Sequence, residues 1–269
     1  MQLSRRVALD GVQLDEQDPR IAIQSVQTMA AKGNGGNTSV RFGGSGSRRI
    51  PGHREFLEIS VGFSVVIKKG FAAERETVVE TVNAWAAIAG DGAWLTSASK
   101  PGKRIRVYLE EPAVIGDARS NASKTMTIKF RAYGVPFWQD AEPRSVLLAD
   151  GNTGTGSLEI GGNTKTCAEI RMENISGQRI SWIEATVGSS TIRCEDLNMN
   201  GGESFVIDHD TEGLIRIRIE DARGSSRSAM ATRTAGSADD FRVSPGMALV
   251  SFRSERACRV TASARGRWL

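Results

Sequence analysis

From Leu57 onward the apolar residues fall on every second position: Leu57, Ile59, Val61, Phe63, Val65 and Ile67, with Glu58, Ser60, Gly62, Ser64, Val66 and Lys68 between them. A period of two sends alternate side chains to opposite faces, so this stretch predicts a long strand with one buried face, ended by Lys69-Gly70. The period then changes. Val78, Val82, Trp85, Ala86 and Ala89 recur at helical spacing, with Arg75, Glu76, Glu80 and Asn83 on the other side, which predicts one amphipathic helix over about 72–89. Gly90-Asp91-Gly92 closes it, because glycine takes the positive φ of a helix stop at little cost. No other stretch carries a convincing helical pattern. A lone helix among strands must lay its stripe on a sheet or close one end of a barrel. The next strand, with Ile105, Val107 and Leu109 on one face, offers that surface.

The rest of the chain reads as strands separated by turn residues. Gln2 to Leu14 contains a first strand through Arg6, Val7, Ala8 and Leu9 that ends at Asp10-Gly11, and Ile21 to Met29 follows. Lys32-Gly33-Asn34-Gly35-Gly36-Asn37 has the residues of a hairpin turn, with Thr38 to Phe42 returning beside the preceding strand. Gly43 to Arg49 reads as a loop, and Gly33–Arg49 as a whole is too poor in apolar residues to order without a partner. Met126, Ile128 and Phe130 alternate with Thr125, Thr127, Lys129 and Arg131 in another strand. Pro136 and Pro143, with Gly134, mark a rigid exit, which places a domain boundary between 1–142 and 143–269. Beyond it, Val146–Ala149, Ser157–Ile160, Cys167–Glu173, Ile180–Val187, Ser190–Cys194, Ser204–Asp208 and Leu214–Glu220 read as members of a β-sandwich. Gly151 to Gly156 and Asp221 to Gly236 read as loops. Phe241–Val243, Leu249–Phe252 and Cys258–Ser263 are the last short strands, before a tail Arg265-Gly266-Arg267-Trp268-Leu269.

Composition narrows the function more than the fold. At 269 residues the chain has room for one large or two ordinary domains, and 39% apolar residues suffice for real cores. The net charge of +4 is mild, and most arginines have an acidic residue nearby. The short basic pairs Arg48-Arg49 and Arg104/Arg106 have no aromatics interleaved in the sequence, so no nucleic-acid specificity is expected. Cys167, Cys194 and Cys258 give neither a disulfide framework nor a zinc spacing and read as buried thiols of a chain folded in a reducing compartment. No run is long and apolar enough to span a membrane, and the first residues lack a signal-peptide core.

Candidate chemistry is sparse. His53 sits in a Pro-Gly loop. His209, in Asp208-His209-Asp210, reads as a turn or surface residue with no further metal ligand near it in sequence. Glu110-Glu111 and Asp239-Asp240 are adjacent pairs whose members face opposite ways on a strand, which is wrong for acid/base work on one bond. Neither a phosphate-cradling glycine motif nor a nucleophile elbow is present. Trp85 and Trp182 read as core, and Trp268 as a docked terminus. No catalytic, cofactor-binding or metal-binding residues are therefore assigned, and a non-enzyme without a cofactor is expected.

The order and spacing of these pieces resemble the distal tail protein family, Dit, of long non-contractile-tailed bacteriophages. The resemblance rests on the strand Arg54–Lys68, the single helix with its late Trp85, and Lys100-Pro101-Gly102 before a strand ending near Tyr108-Leu109. It continues through Thr125–Ala132 running into Tyr133-Gly134-Val135-Pro136-Phe137-Trp138, Gly151-Asn152-Thr153, Phe241-Arg242-Val243-Ser244-Pro245-Gly246 and the basic-aromatic finish. It implies a mainly β protein: a sandwich- or barrel-like N-terminal domain with one helix, and a galectin-like C-terminal β-sandwich whose last strand returns to the first domain. It further implies a hexameric ring assembled in the host cytoplasm and carried in the virion at the tail tip. The implied partners are further copies of itself, the tail tube protein, the tail-tip hub or tail-associated lysin, the tape measure protein and a receptor-binding protein. Two other readings are a carbohydrate-binding adhesin and a β-rich hydrolase. True galectins carry HxNxR and WGxE; here Trp182-Ile183-Glu184 lacks the glycine, and His209 is not followed by the Asn and Arg.

Overall fold

The computed structural model describes residues 6–28, 32–33, 39–42, 46–49, 56–68, 74–115, 125–132, 135, 137–210 and 213–268. The architecture is mainly β, with two curled antiparallel sheets and one 15-residue helix. The chain divides into two compact units, one running up to Trp138 and the other spanning Gln139–Trp268. The expectations for His53, for Lys69-Gly70, for residues 72–73 and for the glycine-rich turn at 34–38 lie outside the described residues.

The first unit contains β1 (Val7–Leu9), β2 (Val12–Gln13), a one-turn α1 (Leu14–Gln17), β3 (Ile21–Thr28), β4 (Lys32–Gly33), β5 (Ser39–Phe42), β6 (Gly46–Arg49) and β7 (Phe56–Ile67). After these come α2 (Arg75–Ala86), β8 (Ala93–Ser97), β9 (Lys103–Ile115) and β10 (Thr125–Ala132). Its main sheet has the order β2-β1-β8-β9-β10-β7-β3, with neighbours antiparallel. Asp10 and Gly11 both take positive φ, 46° and 84°, which is the backbone a two-residue hairpin between β1 and β2 requires. The alternation read from the sequence holds in β10, where Met126, Ile128 and Phe130 are buried, and at the end of β7, where Val65 and Ile67 are buried.

Helix α2 buries the stripe its sequence predicts: Val78, Val82, Trp85 and Ala86, with Ala89 in the 3₁₀ turn Ala87–Ala89 that continues it. The stripe packs on β9, whose Ile105 and Val107 are fully buried. Two polar contacts fix the helix on the sheet. Asn83 offers its amide to the backbone of Ala113 on β9, donating to the carbonyl at 3.2 Å and accepting from the N–H at 2.7 Å. Trp85 donates Nε1–H to the carbonyl of Val12 at 2.8 Å and meets the Phe130 ring edge-on, with centroids 6.2 Å apart. The sequence reading put Asn83 on the wet side; it is half-buried because its amide completes a strand's hydrogen bonding. Gly92, at φ 89°, supplies the chain reversal after the helix.

One strand was misread. Gly46–Arg49 is β6, and it pairs with β5 in a two-stranded sheet, with Ser39 opposite Arg49 and Phe42 opposite Gly46. It is no loop, and β5 does not return beside β3. Short glycine-rich strands have too few side chains to show a period.

The second unit follows β11 (Trp138–Asp140) and contains β12 (Arg144–Ile160), β13 (Thr166–Asn174), β14 (Ile183–Val187), β15 (Ser190–Cys194), β16 (Ser204–His209) and β17 (Ile215–Glu220). These are followed by β18 (Ser226–Ser228), β19 (Arg242–Val243), β20 (Gly246–Ala264) and β21 (Arg267–Trp268). The sheet order is β15-β14-β20-β13-β16-β17-β18. Strand β20 is its spine. It pairs with β12 along nearly all its length, with β14 over Ser254–Val250 and with β13 over Ala264–Cys258. Ile170, Met172, Ala185, Phe205, Ile207, Val250, Phe252 and Val260 belong to one buried core.

Four expectations are corrected here. Gly151–Gly156 is no loop but the middle of the 17-residue β12, bent by register shifts between Leu147 and Asp150 and between Gly151 and Thr153. Gly156 leaves the space occupied by Leu148, since a Cβ there would lie 2.5 Å from Leu148 Cδ2. The two strands read at 249–252 and 258–263 are one 19-residue β20. In its polar middle, Arg253 is paired with both β12 and β14, and Ser254 is paired with β14 and buried. The stretch read as a loop at 221–236 holds β18 and a 3₁₀ turn, Met230–Thr232. Trp182 is half-buried rather than core, with the Arg193 guanidinium 5.0 Å above its ring.

Candidate functional site

In the second unit three chemically active side chains meet that the sequence keeps far apart. Cys167 stands on β13, His209 at the last position of β16, and Asp240 just before β19. Strand β19 pairs with β13 at Cys167 opposite Arg242, and Phe241 accepts from the Ala168 N–H at 3.0 Å, so the segment carrying Asp240 is drawn against β13. His209 Nε2 lies 2.6 Å from Asp240 Oδ1, and the Cys167 thiol donates to Asp240 Oδ2 at 3.4 Å. The three donor atoms lie within 4.8 Å of one another. The His209 side chain is 6% exposed and that of Asp240 13%; Cys167 is buried. His209 is therefore no surface turn. The chain brings it to partners 31 residues away in one case, and brings Asp240 to a thiol 73 residues away.

The electrostatics follow from burial and pairing. Burial pulls the His209 imidazole down, but the Asp240 carboxylate and Cys167 against it prevail, and its pKa rises to about 9. Burial pushes the Asp240 carboxyl up, yet the hydrogen bond and charge of His209 leave it below the usual carboxylate range. Both directions describe one ion pair. Its border is cationic: Arg242 Nε is 3.5 Å from Asp240 Oδ2, and Arg267 Nη2 is 3.8 Å from Cys167 Sγ. Nearby, Glu169 is pushed up by burial and by Asp208. His209 Nδ1 is buried and has no hydrogen-bond partner among the described residues.

The other singled-out residues are accounted for separately. Asp239 is fully solvated while Asp240 is not, so the pair faces opposite ways. Glu110 pairs with Arg131 and Glu111 with Lys129 across β9 and β10. Arg104 and Arg106 each lie against an aromatic ring. The Arg104 guanidinium lies 4.1 Å from the Trp94 ring across the β8–β9 pair, and that of Arg106 5.9 Å from the Tyr108 ring. An open depression of about 470 Å³ on β17 and β18 is lined by Arg216, Arg218 and Glu220. Their charges are already matched, Arg216 and Arg218 by Asp208 and Glu220 by Arg171 and Arg218.

The tail is docked within the second unit. Trp268 donates Nε1–H to Asp140 Oδ1 at 2.8 Å, and the Gly266 N–H donates to Asp140 Oδ2 at 3.2 Å. Gly162, at φ 102°, lies so close that a Cβ would collide with the Arg267 carbonyl. Among the described residues no helix is long and apolar enough to cross a membrane.

No family model matches the chain, and no curated protein matches it in sequence. Among solved structures, the crystal structure of the Dit (gp 19.1) protein of phage SPP1 matches 98% of this chain and 99% of its own, with a TM-score of 0.67 at 13% identity. The chain has the Dit fold. That SPP1 protein is described as a paradigm of the hub adsorption apparatus in phages infecting Gram-positive bacteria. Two structures of the phage P2 baseplate in its activated conformation, with Ca and with Sr, match at TM-scores of 0.49 and 0.45, at 7% and 8% identity over 97% of each chain.

Proposed function

We propose that this protein is a Dit of a phage tail tip: a structural part that forms a hexameric ring joining the tail tube to the tail-tip hub. The observation that carries the reading is the correspondence with SPP1 Dit from end to end, which covers both compact units and leaves neither chain with an unmatched domain. In this reading residues 1–142 build the ring, and residues 143–269 form an outward-facing galectin-like sandwich. The ring contacts the tube protein, the tape measure protein and the hub or tail-associated lysin, and offers a platform for receptor-binding proteins. It assembles in the host cytoplasm and is carried in the virion.

A closed head-to-tail ring needs two different complementary surfaces on each copy, and a ring component exposes them until it assembles. Met247 and Leu249 offer a contact surface of another kind, on the outward-facing sandwich and not on the ring-building residues 1–142. They stand at alternate positions of β20, hence on one face, and are 69% and 63% exposed. The alternative, a carbohydrate-binding adhesin, gains nothing from His209, whose imidazole is buried against Asp240. Sedimentation of the purified protein mixed with the tube protein and with the hub protein tests the docking. Co-sedimentation with each is expected; failure to bind either would overturn the reading.

A further inference from the structure

We propose that Cys167, His209 and Asp240 form a binding site for a single zinc-class divalent cation that ties β13, the end of β16 and the segment before β19 together. The inference stands on the second unit alone and does not depend on the tail reading. Thiolate, imidazole and carboxylate are the three donor types that tetrahedral zinc takes from proteins. One of each is supplied here, from three separate parts of the fold, within a sphere small enough for one ion. With bonds of ~2.3 Å to sulfur and ~2.0–2.1 Å to nitrogen and oxygen, tetrahedral donors stand roughly 3.4–3.6 Å apart. Cys167 Sγ lies 3.4 Å from Asp240 Oδ2, which already has that value, while His209 Nε2 lies 2.6 Å from the other oxygen, Oδ1, and must move off it by roughly 1 Å as the ion enters. A water fills the fourth position.

The imidazole is suited to the same site. His209 Nε2 faces Asp240, and Nδ1 is buried with no hydrogen-bond partner among the described residues. A metal takes a neutral imidazole through one nitrogen and leaves the proton on the other, so the ion binds at Nε2 and the ring proton stays on Nδ1. Arg242 and Arg267 now balance the anionic groups from 3.5 and 3.8 Å. At equal dielectric, a dication about 2.1 Å from a donor interacts roughly three to four times more strongly than one unit charge at 3.8 Å, an attraction set against the ion's dehydration and its repulsion from the two guanidiniums. Binding releases the thiol proton and the proton shared by His209 and Asp240 to the buffer, leaving thiolate, neutral imidazole and carboxylate on the metal.

The test uses the full chain, freed of metal with a chelator. It is titrated with zinc chloride by calorimetry, and with cobalt chloride by absorption. One equivalent of zinc per chain is expected, with an enthalpy that varies with the buffer's own ionisation heat, and cobalt should give a thiolate charge-transfer band. Cys167→Ala should abolish the band and Asp240→Asn should weaken zinc binding at least tenfold, while Cys258→Ala keeps both signals. Circular dichroism checks that each variant is folded; Asp240→Asn keeps the side chain's shape and reads the site should Cys167→Ala fail to fold. Folded wild-type protein that takes up no zinc, or a cobalt band that survives in folded Cys167→Ala, would overturn the proposal.

Discussion

At the scale of single residues, the physical argument is sharpest where a side chain has one task. Asp18 is 2% exposed and accepts Arg20 Nε at 2.9 Å, Arg20 Nη2 at 2.8 Å and the Arg20 backbone N–H at 2.9 Å. The hydrogen bonds from Arg20 hold its carboxyl below the ordinary value of 3.8. A group whose folded pKa is depressed contributes stability in full above its unfolded pKa and loses it as pH falls through the folded value. Asp18→Asn is therefore expected to cost about 1–3 kcal/mol at neutral pH. The gap to wild type should narrow as the pH falls from the ordinary value of 3.8 through the depressed folded one. Urea midpoints of both proteins across that range check it; a gap that stays constant would show that the charge does not matter. Gly92 is a backbone counterpart. Its φ of 89° and the 2.7 Å from a built Cβ to Tyr108 Cε1 make Gly92→Ala costly, by about 1–2 kcal/mol. Thermal unfolding measures this directly, with Gly102→Ala as a comparison that has a positive φ but open space around it.

At the scale of elements, what could be read from the sequence depended on whether an element declares a period. Helix α2 and strand β10 do, and their buried residues are those the period names. Strands β12 and β20 do not. Each is long, and each crosses a glycine-rich or charged stretch, Gly151–Gly156 and Arg253–Arg256, that looks like a break, while the strand on either side is held by pairing: β12 with β20, and β20 also with β14 before the charged stretch and β13 after it. The Cys167–His209–Asp240 cluster was illegible for a related reason. Its members belong to three parts of the sheet, and only the register of β19 on β13 and the place where β16 ends bring them together. Helix docking offers a test at this scale. Asn83 satisfies both the N–H and the carbonyl of Ala113, so Asn83→Ala should destabilise the protein by about 1–3 kcal/mol. Exposed Glu80→Ala on the same helix should stay within ~0.5 kcal/mol. Chemical denaturation of the two variants distinguishes an anchored helix from one held by its apolar stripe alone.

At the scale of the whole molecule, each unit is anchored within itself, the first by α2 held on β9 and the second by the long strands β12 and β20 and the docked tail. Among the described residues the most exposed large apolar side chains, Leu147, Leu214, Met247 and Leu249 at 61%, 62%, 69% and 63%, all lie in the second unit, and three of them stand on the paired β12 and β20. The fold of SPP1 Dit matches 98% of this chain. Under the proposed function, these exposed positions are contact surfaces for neighbours in a larger assembly. The most direct measurement is the mass of the purified protein in solution across a wide range of concentration, with electron microscopy of whatever species forms. The account predicts a discrete closed ring, expected at six copies, growing at the expense of the monomer as concentration rises or when tube protein is added. A protein that stays monomeric at every concentration, with tube protein present, would contradict it.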